Sequence, residues 1–117
     1  MTLQVAIVEV KTNSYTETFA FYRDVLGLTV LYDERDHGYG WLSAGITVSV
    51  NETSDKIVPC RDVCVQFTLS EGLDAAREAL IRQGVLIEVT SDDPDEPFRA
   101  IYFSDPNGHR LAIYEMR

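Results

Sequence analysis

The chain has 117 residues, of which 45% are hydrophobic and 25% charged, as expected of one ordinary globular domain. Its 19 acidic residues against 10 basic ones give a formal net charge of −9. This balance argues against nucleic acid binding, which needs clustered Lys and Arg, and it suits a cationic ligand better than an anionic one.

The N-terminal region and the cysteines indicate where the protein resides. No apolar run reaches the ~20 residues of a membrane span. Glu9 interrupts the first apolar stretch, which no basic region precedes, so we expect no signal peptide. If Cys60 and Cys64 lie on one strand, they are ~13 Å apart and cannot form a disulfide. The sequence therefore predicts a reduced, cytoplasmic protein that contacts neither membrane nor nucleic acid.

The first half of the chain predicts one strand, one helix and three further strands. In chain order these elements cover residues 3–10, 16–26, 28–32, 37–43 and 46–51. Gly27 stands where a C-cap glycine ends a helix. Ser14 and Glu17 form a capping-box pattern at the start of the same helix.

The second half repeats this plan. A strand over 62–69 and a helix over 73–83 precede strands over 85–89, 98–103 and 110–114. Gly84 follows the second helix as Gly27 follows the first. The fold class is therefore α+β, a single domain over 1–117 that contains two βαβββ modules, 1–52 and 61–117, joined by a connector over 53–60.

Strand alternation predicts which side chains lie on the sheet face opposite the helices. The candidate ligand-binding residues on this face are Glu9, His37, Tyr39, Trp41, Thr47, Ser49, Asn51, Cys64, Gln66, Phe98, Tyr102, Ala112 and Tyr114. Aromatic rings mixed with uncharged hydrogen-bonding groups are typical of a small-molecule cleft. The alternative is that this face is simply the solvated side of an antiparallel sheet.

Two motifs carry a family resemblance. The sequences FYRDVLGL (21–28) and FSDPNGHRLAIYE (103–115), set in two βαβββ modules, resemble the vicinal oxygen chelate superfamily of glyoxalases, extradiol dioxygenases and bleomycin-resistance proteins. The resemblance covers essentially the whole chain. It implies a cupped mixed sheet with the helices on its outer face, a ligand cleft, and a homodimer.

The resemblance also implies positions for metal ligands. Many members bind a divalent metal through His, Glu or Gln, and their motif positions correspond here to Val5, Thr47, Cys64 and Ala112. Valine and alanine offer no donor atom, a neutral threonine hydroxyl is a weak ligand, and a single cysteine does not hold a metal. We therefore expect no metal and no cofactor.

These observations lead to one preferred hypothesis and two alternatives. The preferred hypothesis is a metal-free, homodimeric small-molecule-binding protein that sequesters an aromatic or cationic compound. One alternative is a metal-dependent lyase, isomerase or dioxygenase of the same superfamily with atypical ligands such as Glu9, His37 or Cys64. The other is a metal-free enzyme that uses Glu9 or His37 for proton transfer. The sequence assigns no catalytic residue, and it leaves open whether any reaction is catalysed.

Overall fold

The computed structural model describes residues 1–117 and divides into two units, Met1–Val58 and Pro59–Arg117. Each unit contains one four-stranded mixed sheet and one α-helix. Both units follow the order βαβββ, so the predicted α+β class and the repeated plan are confirmed. No helix is long and apolar enough to cross a bilayer.

The first unit contains four strands in the spatial order β1-β4-β3-β2. Strands β1 and β4 are parallel, and the other neighbours are antiparallel. A π-helical turn continues α1, and a short 3₁₀ turn precedes β3. The bounds are β1 Ile7–Thr12, α1 Tyr15–Ala20, π turn Phe21–Val25, β2 Thr29–Glu34, 3₁₀ turn Arg35–His37, β3 Tyr39–Ala44 and β4 Ile46–Glu52.

The second unit has the corresponding spatial order β5-β8-β7-β6, with β5 and β8 parallel. Arg99 of β7 forms ion pairs with Glu115 of β8 and with Asp74 in the first turn of α2. Glu115 also accepts a hydrogen bond from the N–H of Gly72 (3.1 Å), so it holds the start of α2 against the sheet. The bounds are β5 Val65–Leu69, α2 Leu73–Arg82, β6 Val89–Ser91, β7 Phe98–Ser104 and β8 Arg110–Met116.

Gly40 lets α1 approach the first sheet closely. A Cβ added to Gly40 would lie 2.2 Å from Tyr15 Oη and 2.5 Å from Phe19 Cε1, distances that no side chain tolerates. Both aromatic rings are buried, as are Leu42 and Val50 of the sheet beneath them. The helix therefore covers one face of this sheet and leaves the opposite face to the candidate ligand-binding residues.

Several predicted strand ends are corrected by the pairing. Strand β1 begins at Ile7 rather than residue 3, because its neighbour β4 begins only at Ile46 and the Ala6 carbonyl, which accepts the N–H of Thr47 at 3.2 Å, is bonded just before the strand. Strand β5 begins at Val65 rather than 62, so Cys60 and Cys64 do not lie on one strand and the predicted ~13 Å separation does not apply. Both cysteines are free thiols.

The predicted helix over 16–26 is also corrected, since it is α-helical only to Ala20 and then widens into the π turn. The N–H of Leu26 donates to the carbonyl of Phe21, five residues earlier, at 3.1 Å. The adjacent residues Phe21 and Tyr22 are both buried, and the wider turn accompanies their burial. The capping-box prediction was wrong, because the Ser14 side chain makes no cap hydrogen bond.

Candidate ligand-binding site

The strand register of the first unit brings the predicted polar and aromatic side chains onto one face. Trp41 pairs with Ser49 and Tyr39 pairs with Asn51 across β3 and β4. On the other side of β4, Glu9 lies beside Ser49. The predicted residues that share this face are Glu9, Tyr39, Trp41, Thr47, Ser49 and Asn51.

Three aromatic rings of this face, Tyr32, Tyr39 and Trp41, form what we call the aromatic cluster. The ring centroids of Tyr32 and Tyr39 are 5.9 Å apart and the rings are inclined at 71°. Those of Tyr39 and Trp41 are 6.2 Å apart at 62°. Together with Leu31 the cluster lines a concavity of about 430 Å³, a volume within the range of small-molecule sites.

A β-bulge at Leu31 places Tyr32 in the aromatic cluster. Val30 pairs with Leu42, whereas Tyr32 pairs with Trp41, so Leu31 is an additional residue on β2. Regular alternation would have placed Leu31 opposite Trp41 and turned Tyr32 to the other face. Sequence reasoning therefore missed Tyr32 as a candidate site residue, and no signal in the sequence of β2 marks the bulge.

Two polar atoms of the same face are buried without a hydrogen-bond partner. These are Nε1 of Trp41 and Oδ1 of Asn51. The amide nitrogen of Asn51 does have a partner, because it donates to Ser49 Oγ at 3.3 Å. An unsatisfied buried polar atom costs about 1–3 kcal/mol, so a bound molecule that supplied an acceptor to Trp41 and a donor to Asn51 would recover that free energy.

Acidic groups flank the aromatic cluster. Interaction of the Tyr32 hydroxyl with the nearby Glu34 carboxylate raises the pKa of Tyr32, and partial burial adds to the effect. The Glu9 carboxylate lies 3.9 Å from Lys11 Nζ, and both side chains are largely exposed. Glu34 is thus the acidic residue whose charge acts on the Tyr32 hydroxyl of the cluster.

His37 does not join this face. The predicted strand over 37–43 begins instead at Tyr39, and His37 is an exposed residue of the preceding 3₁₀ turn. Gly38 follows with a φ of +64°, a left-handed conformation that turns the chain before β3 begins. The prediction that His37 lies on the strand face was therefore wrong.

The second unit has an equivalent face opposite α2. Ala112 of β8 pairs with Gln66 of β5 on one side and with Tyr102 of β7 on the other. Tyr114, which pairs with Thr68 of β5, continues this face. Phe98, which pairs with Met116 of β8, lies on it as well. Cys64 immediately precedes β5, and partial burial raises the pKa of its thiol.

Sequence reasoning also missed Arg110 on this second face. Its guanidinium carbon lies 4.7 Å from the centroid of the Tyr102 ring. Arg110 stands two positions before Ala112 on the same strand, so the alternation that selected Ala112 would have selected Arg110 as well.

The positions at which the resemblance implies metal ligands do not fit a divalent metal. Val5 is 72% exposed and Ala112 is fully buried, and neither side chain has a donor atom. Thr47 offers only a neutral hydroxyl, and burial favours the protonated form of the Cys64 thiol over the thiolate that binds metals. No group of three or more His, Cys, Asp or Glu side chains is arranged to hold a metal ion.

Comparison with known proteins gives a consistent family. Residues 4–113 match the Glyoxalase/Bleomycin resistance protein/Dioxygenase superfamily. The chain is 27% identical over 104 residues to the Metallothiol transferase FosB of Lysinibacillus sphaericus, which covers 84% of this chain and 72% of that protein.

Solved structures share the fold at lower identity. The fosfomycin resistance protein FosX from Listeria monocytogenes superposes with a TM-score of 0.85 at 17% identity, covering 100% of this chain and 96% of that one. The lactoylglutathione lyase from Agrobacterium tumefaciens gives a TM-score of 0.76 at 14% identity, covering 96% and 92%.

Proposed function

Because this chain belongs to the Glyoxalase/Bleomycin resistance protein/Dioxygenase superfamily, we propose that it is a small-molecule-binding protein that holds an aromatic cation without a metal ion. The observation that carries this proposal is the aromatic cluster of Tyr32, Tyr39 and Trp41, with the Glu34 carboxylate close enough to raise the pKa of the Tyr32 hydroxyl.

Mutually inclined aromatic rings attract cations. Each ring presents a negative face, and a cation over such a face gains about 0.5–2 kcal/mol. The rings also supply flat apolar area for an aromatic ligand, while Trp41 Nε1 and Asn51 Oδ1 supply hydrogen bonds that fix its orientation. The net charge of −9 increases the local concentration of cations around the protein.

The cellular setting of this proposal rests on composition and resemblance. We expect a cytoplasmic protein that acts as a homodimer, since free cysteines suit a reducing compartment and the family resemblance implies a paired assembly. Sequestration of a toxic compound requires binding alone, which accounts for a site that lacks convergent metal donors.

Trp41 is the single tryptophan, so its fluorescence reports on the proposed site directly. Titration with benzyltrimethylammonium is expected to quench this fluorescence saturably, and benzyl alcohol is expected to bind more weakly because it lacks the charge. Tyr39→Leu removes one ring and should weaken binding about threefold to thirtyfold. Tyr39→Phe keeps the ring and should retain most of the affinity. Equal affinities for the cation and the neutral alcohol would contradict the proposal.

A pair of acidic residues tests the charge. Glu34→Gln should weaken benzyltrimethylammonium binding roughly fivefold, since a charge pair at ~4 Å in water is worth about 1 kcal/mol. Asp36→Asn removes the same charge from the exposed 3₁₀ turn, away from the sheet face, and should have a smaller effect. If both variants weaken binding equally, the effect belongs to net charge and not to the aromatic cluster.

The alternative function is a metal-dependent enzyme of the superfamily. The names of the relatives favour it, because one is a metallothiol transferase and another a lactoylglutathione lyase. On this chain the enzyme would have to recruit ligands such as Glu9, His37 or Cys64 in place of the donor-free positions. The metal content of the purified protein separates the two functions.

A further inference from the structure

A second candidate site lies within the second unit, on the sheet face opposite α2, and it is centred on Arg110. Arg110 opens β8 and stands opposite Ser104 of β7. Its guanidinium carbon lies 4.7 Å from the centroid of the Tyr102 ring. Tyr102 pairs with Ala112, which is fully buried, so the Arg110 side chain and the Tyr102 ring lie on the face that the small Ala112 side chain shares.

Arg110 has a buried polar atom without a partner. The Nε atom of Arg110 is inaccessible to solvent and makes no hydrogen bond. No carboxylate oxygen lies within 4.0 Å of a guanidinium nitrogen of Arg110, so this arginine forms no ion pair. The other arginine at this corner, Arg61, already has partners, since it donates to Glu88, Ser104 Oγ (2.9 Å) and the Gly108 carbonyl (3.1 Å). A half-buried guanidinium that lacks an anion has lost hydration without compensation.

The local charge favours an anion despite the acidity of the whole chain. Glu88 is the acidic group that faces Arg110 here, and it already accepts hydrogen bonds from Ser104 and Arg61. Two guanidinium groups therefore face one carboxylate, leaving one positive charge in excess. The thiol of Cys64, which precedes the adjacent strand, is kept protonated by burial and does not neutralise this charge.

We propose that Arg110 binds the oxyanion group of a small molecule, a carboxylate or a phosphate, on this face of the second unit. The planar guanidinium matches two oxygens of either group, and contact with the Tyr102 ring fixes the plane of the fork. The exposed amide of Gln66, in the Ala112 row, lies on the same face and can donate a further hydrogen bond. The residues of this site all belong to the second unit, and the proposal does not depend on the function proposed for the aromatic cluster.

The test follows the Nε–H resonance of Arg110 by ¹⁵N nuclear magnetic resonance during titration of the native protein at constant ionic strength. Inorganic phosphate and acetate are the two probes, and chloride serves as the control. We expect a saturable shift of the Arg110 resonance with at least one of the two oxyanions and none with chloride. The relative response to phosphate and acetate identifies which oxyanion the site prefers.

A matched pair of variants tests the assignment. Arg110→Met keeps the length of the side chain and should weaken oxyanion binding at least tenfold. Arg82→Met removes the same charge from the exposed end of α2 and should bind as the native protein does. The proposal is overturned if neither oxyanion shifts the Arg110 resonance saturably, or if Arg110→Met binds as tightly as Arg82→Met. The native titration decides the matter even if Arg110→Met does not fold, and neither probe is a cation, so the result is independent of the benzyltrimethylammonium experiment.

Discussion

At the start of α1 the side chains that accept backbone N–H groups come from outside the helix and not from Ser14. The buried Thr12 hydroxyl oxygen accepts the N–H of Ser14 at 2.9 Å and lies 2.9 Å from the Thr18 hydroxyl. The first N–H of α1, that of Tyr15, donates instead to the Glu52 carboxylate at 3.1 Å. The groups that hold the start of this helix therefore come from β1 and β4, and a local capping motif could not reveal them.

This arrangement predicts opposite outcomes for two neighbouring substitutions. Thr12→Val keeps the shape of the side chain but removes the hydrogen bonds of a fully buried hydroxyl to Ser14 and Thr18, so the free energy of unfolding should fall by about 1–3 kcal/mol. Ser14→Ala removes a hydroxyl that makes no cap bond and should cost less than about 0.5 kcal/mol. Urea denaturation of both variants measures the difference, and a larger loss in Ser14→Ala would restore the capping box.

Single residues also show where sequence reasoning succeeds and where it stops. Alternation placed Trp41, Ser49 and Asn51 on one face, and the register of β3 and β4 agrees. It failed for Tyr32, because one bulged residue reverses the side to which every following side chain points. The concavity was predicted only in part for that reason.

Strands and helices were predicted in the right order, and their ends were not. The first strand was expected from residue 3 because Leu3 and Val5 continue the apolar alternation, yet both are exposed. The start of β1 is limited by the start of β4, its hydrogen-bonded neighbour, whose residues lie about 40 positions later in the chain. The helix over 16–26 was located correctly, while its π turn accompanies the burial of two adjacent aromatic residues.

The contacts of Glu88, just before β6, with Ser104 at the end of β7 predict that the stability of the protein depends on pH. The Glu88 carboxylate accepts hydrogen bonds from Ser104 and Arg61, and the bond from Ser104 is the largest cause of its lowered pKa. In the unfolded chain this carboxyl has its ordinary pKa of about 4.3. On acidification the unfolded state therefore takes up the proton first, and the stabilisation present above that pH is lost as the pH falls through the lower pKa of the folded state.

Glu88→Gln should accordingly be less stable than the native protein at pH 7, and the difference should shrink below about pH 4. Thermal unfolding of both proteins between pH 7 and pH 3 measures this convergence. Asp95→Asn, in the exposed loop before β7, is the control. Because Asp95 contacts neither Arg61 nor Ser104, the stability difference between this variant and the native protein should not shrink in the same way as the pH falls. A constant difference between native protein and Glu88→Gln down to pH 3 would mean that the Glu88 contacts do not depend on its charge.

At the scale of the whole chain, the repeated βαβββ order was the feature that the sequence predicted best. The 57-residue interval between Gly27 and Gly84 repeats the end of a helix, and both glycines have the positive φ expected there, 73° and 85°. Family membership follows from the sequence and agrees with the fold. What the fold does not determine is the chemistry, because that depends on the few side chains that occupy the open sheet faces.

The measurement that tests the account most directly is the metal content of protein purified without a histidine tag. The protein is incubated with Mn²⁺, Fe²⁺, Co²⁺, Ni²⁺ or Zn²⁺, dialysed exhaustively and analysed by mass spectrometry of the elements. Because Val5 and Ala112 lack donor atoms, we predict far less than one ion per chain for every metal. One equivalent of a transition metal retained through dialysis would contradict the proposed metal-free function and favour the metal-dependent enzyme.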